Sequence, residues 1–173
     1  MIDKSTGSTG PDALKATLHA FKPIGDNVDV TVRLKNSASR ALHYISDIRA
    51  IRYDPTTRTL TISFSDQGRD PLPSTITKVP QFRFVEPQSE VEINHRIPDR
   101  IVKFSRTAPP GKIAFETHSF ADMEHVVVEV GWADVPFYKD TRKTRAKEQR
   151  HPSTRWEQHQ ARATMRLSPT RQR

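Results

Sequence analysis

The sequence predicts an all-β protein, because two features of β-strands recur along most of it. Short segments alternate apolar and polar residues, which is the pattern of a strand with one face on a core and one in water. Turn-forming Gly, Pro, Asp and Asn residues separate these segments about every 8–15 positions, as between consecutive antiparallel strands. An α/β fold would need helical segments between the strands and fits this spacing less well.

The first strands follow a short polar arm. Residues 1–11 are mostly small and polar and bury too little apolar surface to offset chain entropy, so we expect a flexible arm. Residues 14–20 then alternate apolar and polar side chains, and a turn at residues 23–27 follows. The clearest half-buried strand comes next, with apolar positions at Val28, Val30, Val32 and Leu34.

Residues 41–53 fit two structures. Apolar residues at 41, 44, 45, 48 and 51 have nearly helical spacing, whereas residues 48–53 also fit a strand. We favour a strand from about Ile48, because a turn follows at residues 54–57. Pro55 presets φ at the second turn position, and Asp54 at the first accepts hydrogen bonds from the backbone ahead. The alternation in residues 59–64 then predicts a hairpin.

Further strand segments follow a long connection. Residues 65–80 contain Gly68 and three prolines and predict a crossover between sheets or a functional loop. Strand patterns return at residues 82–85, 91–93, 101–104, 113–115 and 126–130. The last is a dense β-branched run that predicts a central strand. Together these segments predict an immunoglobulin-like antiparallel β-sandwich of about seven to nine strands over residues 12–138.

The basic charge is confined to the C-terminal end. The chain carries a net charge of +8, and residues 139–173 contain eleven Lys/Arg and three acidic residues. Residues 1–138 are therefore electrically balanced. Apolar density falls after Tyr138, so we expect a linker over residues 139–151 and a basic tail over residues 139–173 that lies outside the core.

One short helix is expected in this tail, over residues 154–167. Thr154 and Glu157 fit the N-cap and N3 positions of a capping box, and Pro169 ends the segment. Ala163 and Leu167 share one side of such a helix with Trp156. Because this apolar stripe is narrow, we expect the helix to form only against a surface of the protein or a partner.

The function expected from this layout is non-catalytic binding of a partner protein or assembly, with self-association through the tail as one form of it. Arginines would steer the approach and Trp156 would anchor the contact. An aromatic cluster at the end of the last strand either closes the core or forms an exposed apolar patch. The expected partner-binding residues are Trp132, Phe137, Tyr138, Arg145, Lys147, Arg150, Arg155, Trp156, Arg162, Arg166 and Leu167.

Two alternatives remain open. The tail arginines would bind the phosphates of a nucleic acid while Trp156 stacks on a base, although the balanced body disfavours this. The other alternative is an enzyme or metal-binding protein with a site in the loops. His118 and His125 are the candidate metal pair, but their spacing matches no strong ligand motif.

Several classes of chemistry lack support in the sequence. It contains no phosphate-binding glycine loop, serine elbow or zinc-binding helix, so we predict no catalytic residue, no enzyme activity and no cofactor. The absence of cysteine excludes disulfides, thiolate zinc sites and cysteine nucleophiles. No signal-like or membrane-spanning apolar run occurs, and we expect a cytoplasmic protein.

Overall fold

The computed structural model describes residues 10–65, 81–104, 109–134 and 159–167. Strands dominate these ranges, which confirms the all-β class. No helix within them has the length and apolarity that a membrane span requires. In chain order the strands are β1 (Leu14–Ile24), β2 (Asn27–Asn36), β3 (Leu42–Ile45), β4 (Ala50–Asp54), β5 (Thr59–Phe64), β6 (Phe82–Val85), β7 (Glu90–Pro98), β8 (Arg100–Phe104), β9 (Phe115–Ser119), β10 (His125–Ala133) and β11 (His159–Arg166).

The first sheet contains three antiparallel strands in the order β1-β2-β7. Gly25 and Asp26 join β1 to β2, and Gly25 adopts a φ of 59°, which a residue without Cβ tolerates. The alternation predicted for β2 is confirmed, since its apolar side chains are buried and the intervening ones are partly exposed. The buried positions are Val28, Val30, Val32 and Leu34.

The second sheet is organised around β10. Strand β5 runs parallel to β10 and pairs with His125–Val130, while β11 runs antiparallel and pairs with His125–Trp132. Trp132 of β10 pairs with His159 of β11 on one edge and with Tyr44 of β3 on the other. Strand β3 therefore lies on the edge of β10 opposite to β11, which is also the edge that pairs with β5. Strands β4 and β6 extend the sheet beyond β5 and β3. Strand β10 is therefore central, as its β-branched run predicts.

A two-stranded antiparallel hairpin, β8–β9, forms the third sheet. It continues from β7 through Asp99, whose N–H donates to the carbonyl of Asp26 at 3.0 Å. One face of the hairpin contains Ile101 and His118 and packs inward. The His118 ring lies 4.8 Å from the ring of Tyr53 on β4, and Ile101 packs against the core.

The two larger sheets share one hydrophobic core. Its largest fully buried side chains are Trp132 on β10 and Phe64 on β5. A polar contact also links the sheets: Nε2 of His95 on β7 lies 2.8 Å from the carbonyl oxygen of Ser46, which follows β3. The His95 ring lies 5.1 Å from the ring of Phe64. Apolar packing and this contact together hold the two layers in one arrangement.

A buried asparagine ties the end of β2 to β6. The Nδ2 group of fully buried Asn36 lies 2.8 Å from the carbonyl oxygen of Arg40 and 3.0 Å from those of Val85 and Glu86. Its Oδ1 accepts a hydrogen bond from the N–H of Ala38 at 2.8 Å. One side chain therefore satisfies backbone groups of the β2–β3 loop and of the end of β6, and its bond to the carbonyl oxygen of Val85 is buried.

The structure corrects the sequence prediction for the C-terminal tail. The helix predicted over residues 154–167 is wrong for residues 159–166, which form β11; residues 154–158 lie outside the described ranges. Ala161 and Ala163 are buried in the core, so this part of the tail belongs to it. The alternation in β11 is built on alanines, a weaker apolar signal than the capping box of Thr154 and Glu157. The arm at 1–11 and the linker at 139–151 stay predictions.

A carboxylate at Ala163 tests the docking of β11. We expect Ala163→Asp to lower the free energy of unfolding by about 2–4 kcal/mol, because the charge would be buried among apolar side chains. Thr164→Asp is the matched control, since the neighbouring Thr164 is exposed, and should change stability by less than about 1 kcal/mol. Urea unfolding measures both. Equally small effects would mean that residues 159–166 lie outside the core.

Removing the Asn36 amide tests the β2–β6 connection. We expect Asn36→Ala to lower the free energy of unfolding by about 2–4 kcal/mol, because it removes four hydrogen bonds, of which the one to the carbonyl of Val85 is buried. The control is Asn94→Ala, which loses one exposed hydrogen bond from the hydroxyl of Thr31 and should cost less than about 1 kcal/mol. Chemical denaturation measures the free energy of unfolding of both variants. Similar decreases would show that the contacts of Asn36 contribute little to stability.

Candidate functional site

Most of the predicted partner-binding residues lie outside the described ranges. The structure therefore neither supports nor contradicts the roles predicted for Phe137, Tyr138, Arg145, Lys147, Arg150, Arg155 and Trp156. Four predicted residues are described, and they do not form one surface. These four are Trp132, Arg162, Arg166 and Leu167.

The two described arginines lie on the outer face of β11. Arg162 is opposite Glu129 of β10, and Arg166 is opposite His125. Glu129 binds a different arginine, since its Oε2 lies 3.0 Å from Nη2 of Arg52. Arg162 and Arg166 are exposed and are available for contact with an anionic group on this face.

Leu167 has a structural position at the end of β11. Its N–H donates to the carbonyl oxygen of Glu124 at 2.8 Å, and its half-buried side chain packs against the core. It helps to fix the end of the strand. The described contacts therefore place Leu167 against the body of the protein, where little of it remains for a partner.

The prediction that Trp132 contributes to an exposed apolar patch is wrong. Its side chain has an exposed fraction of 0 % because it points into the core, like Val130 two positions earlier. Its ring lies 4.4 Å from the ring of His159 on β11. The indole Nε1–H has no hydrogen-bond acceptor among the described residues. Trp132 closes this end of the core, which is the first of the two interpretations that the sequence offers for the aromatic cluster.

The candidate metal pair does not form a ligand cluster. His118 lies on β9 with Nε2 3.7 Å from Oε2 of Glu116, while His125 pairs with Thr59 and Arg166 in the second sheet. Within the described ranges, no three His, Asp or Glu side chains are grouped as metal ligands would be. The contact of the His118 ring with Tyr53 gives this histidine a packing role.

The most distinctive described surface is apolar and was not predicted as a site. We call Val102, Ile113 and Phe115 the apolar hairpin face; their exposed fractions are 57 %, 76 % and 61 %. Val102 lies opposite Thr117, and Phe115 lies opposite Phe104, on alternate positions of β8 and β9. Ile113 lies two residues before Phe115. Three large apolar side chains exposed in one hairpin are typical of an interaction surface.

The sequence around this surface is basic. Residues 100–119 contain four basic residues and one acidic residue, namely Arg100, Lys103, Arg106, Lys112 and Glu116. Arg100 and Lys112 are exposed, and Nε of Arg100 lies 3.2 Å from Oδ1 of Asp99. In composition, this surface is complementary to apolar groups that are flanked by carboxylates.

The outer face of the first sheet has a different character, because several of its charges pair between β2 and β7. Arg96 binds Asp29 with two hydrogen bonds of 2.6 and 3.1 Å, and the hydrogen bond from Arg96 holds the pKa of Asp29 below its usual value. Arg33 lies 2.9 Å from Glu92 and 3.8 Å from Glu90. These exposed pairs compensate one another locally, while Lys15 and Lys35 remain exposed on the same face.

A second exposed aromatic residue lies on β6. Phe84 has an exposed fraction of 53 %, and its ring lies 6.1 Å from the ring of His43 on β3. Burial lowers the pKa of His43, so the neutral imidazole is favoured beside Phe84. This pair exposes fewer large apolar side chains than the apolar hairpin face does. We therefore rank it below that face as a candidate contact surface.

Comparisons of the chain with known protein families, with curated proteins and with solved structures found no match. The site is therefore argued from its own geometry. The described surfaces offer an apolar contact in a basic setting on the hairpin, and exposed arginines on β11. Both suit noncovalent binding.

Proposed function

We propose that this chain is a non-catalytic interaction protein and that it binds a partner protein through the apolar hairpin face. The observation that carries the proposal is the exposure of Val102, Ile113 and Phe115 on one hairpin. Full burial of such a side chain from water is worth about 1.5–3 kcal/mol, and a partner would recover the part of this that the exposed fractions of 57 %, 76 % and 61 % leave unrealised. A surface kept in this condition is typical of a binding site.

The charge around the hairpin specifies the partner further. Apolar burial supplies most of the affinity at the centre of an interface, while charges at its rim steer approach and select partners. The excess of basic residues over residues 100–119 favours a partner segment with large apolar side chains flanked by Asp or Glu.

We further propose that the fold is the immunoglobulin-like β-sandwich predicted from the sequence. The support is that two mainly antiparallel sheets contribute inward side chains to one core, as in that class of domain. The hairpin β8–β9 would then present its apolar face from one side of the sandwich, held there by the packing of His118 on Tyr53.

Nucleic-acid binding is the second candidate function, and one observation favours it. Arg162 and Arg166 are exposed on one face of β11, and the nearest acidic register partner, Glu129, is engaged by Arg52. Extended strands rise about 3.4 Å per residue, so the two arginines are about 14 Å apart along β11. Such spacing would let them contact separate phosphates of one strand.

A peptide selection tests the proposed function directly. Random peptides displayed on phage are selected on the full-length protein and then measured against a variant with Val102→Ser, Ile113→Ser and Phe115→Ser. We expect selected peptides to combine aromatic or aliphatic residues with Asp or Glu. We expect the variant to bind them at least tenfold more weakly, because the anchor contacts are lost.

Two controls make the result specific. The variant Lys15→Ser, Lys35→Ser changes exposed residues of the first sheet and should bind the selected peptides unchanged. The hairpin variant should keep its unfolding free energy within about 1 kcal/mol, because the replaced side chains are exposed. Peptides that bind the wild-type protein and the hairpin variant equally would contradict the proposal. Binding of a labelled oligonucleotide that is lost on Arg162→Ser, Arg166→Ser would favour the second candidate instead.

A further inference from the structure

Strand β8 has an open edge. Within the described ranges of the chain, β8 pairs with β9 and with no other strand. Natural proteins protect such edges with prolines, charges or a covering segment, and β8 contains two basic residues but no proline. A two-stranded hairpin is stabilised when a third strand extends it. The outer edge of β8 is therefore a place where a strand from a partner can add.

The direction of the backbone groups on β8 follows from one hydrogen bond. The N–H of Phe120 donates to the carbonyl oxygen of Asp99 at 3.1 Å, and this pair continues the register of the hairpin. Hydrogen-bonded and non-hydrogen-bonded pairs alternate along an antiparallel ladder. Val102 and Thr117 therefore form a non-hydrogen-bonded pair. The N–H and C=O groups of Val102 point away from β9, toward the open edge.

Two exposed side chains of β8 lie beside this backbone edge. Arg100 and Val102 are two positions apart, so they share one face of the strand, and both are exposed. A strand added beside β8 would place its own alternate side chains next to these two. An apolar side chain would pack against Val102, and an acidic side chain two residues away would pair with Arg100.

The charge of β8 selects the strand that adds. It contains Arg100 and Lys103 and no acidic residue. Opposite charges on neighbouring strands stabilise a pair and like charges destabilise it, so an acidic segment is favoured and a second copy of β8 is disfavoured. Arg100 binds Asp99 through Nε, and its guanidinium has further N–H donors for a partner carboxylate.

We propose that the partner of the apolar hairpin face is an extended, acidic segment that adds to β8 as a third strand. Main-chain hydrogen bonds to the edge at Val102 contribute affinity, and the alternate apolar and acidic side chains contribute specificity. The inference rests on the proposed function, which supplies the binding surface. It adds the conformation of the bound partner and the edge that the partner occupies.

Backbone methylation of a bound peptide tests the strand addition. The probe is the tightest-binding peptide from the phage selection, synthesised as a series with one backbone N-methyl group at each position in turn. We expect affinity for the full-length protein to fall at least about tenfold at every second position, because only alternate N–H groups of an added strand face β8. Methylation at the intervening positions should change affinity less than about threefold.

The variant Val102→Pro tests the same edge on the protein. Proline removes the N–H but keeps an apolar side chain, and an outward-facing position of an edge strand tolerates it. Val102→Ala is the matched control, because it shortens the side chain and keeps the N–H. We expect Val102→Pro to bind the unmethylated peptide at least about tenfold more weakly than Val102→Ala. Urea unfolding verifies that both variants are folded.

The outcomes separate this inference from the proposed function. Loss of binding at consecutive methylated positions would show a helical partner, and tolerance of methylation at every position would show recognition by side chains alone. Either result overturns the strand addition and leaves the proposed function standing, provided that binding still depends on Val102, Ile113 and Phe115. Binding that does not depend on these three side chains overturns both. If Val102→Pro fails to fold, the methylation series alone decides.

Discussion

The two-sided pairing of β10 is the constraint on which the rest of the structure depends. Both edges of this strand are paired along most of its length, by β5 and β3 on one side and by β11 on the other. Its inward valines and Trp132 form the centre of the core. The first sheet packs on that core, and the hairpin β8–β9 packs on its rim through His118 and Tyr53. The exposed hairpin face is thus held in place by the packing of the opposite face of the hairpin, through Ile101 and His118.

Local features of the fold could be predicted because neighbouring residues determine them. The turn after β4 forms as expected: Oδ1 of Asp54 accepts from the N–H of Thr56 at 2.9 Å, and β4 and β5 pair as a hairpin. The parallel pairing of β5 with β10 joins segments far apart in the sequence, and no local pattern specifies it. The strand β11 was missed because alanines at its buried positions give a weak alternation, and because its stability comes from a distant strand.

The candidate site was less predictable than the fold, for a physical reason. Alternation shows that a strand has two faces but does not show which is covered, and Ile101 and Val102 are adjacent apolar residues with opposite outcomes. Ile101 packs against the core while Val102 is exposed. Trp132 shows the reverse case, because a large aromatic residue near the end of a strand suits a patch or a core equally well. Only the packing of distant strands decides between them.

The most direct test of this account is amide hydrogen exchange over residues 159–166, measured residue by residue by NMR. An edge strand paired on one side donates only every second N–H to its neighbour, so we predict slow exchange at alternate residues of β11 and at both sets of amides in β10. Consecutive protection across residues 159–166 would indicate a helix. Uniformly fast exchange there would show that β10 is not covered on this edge, which contradicts the account.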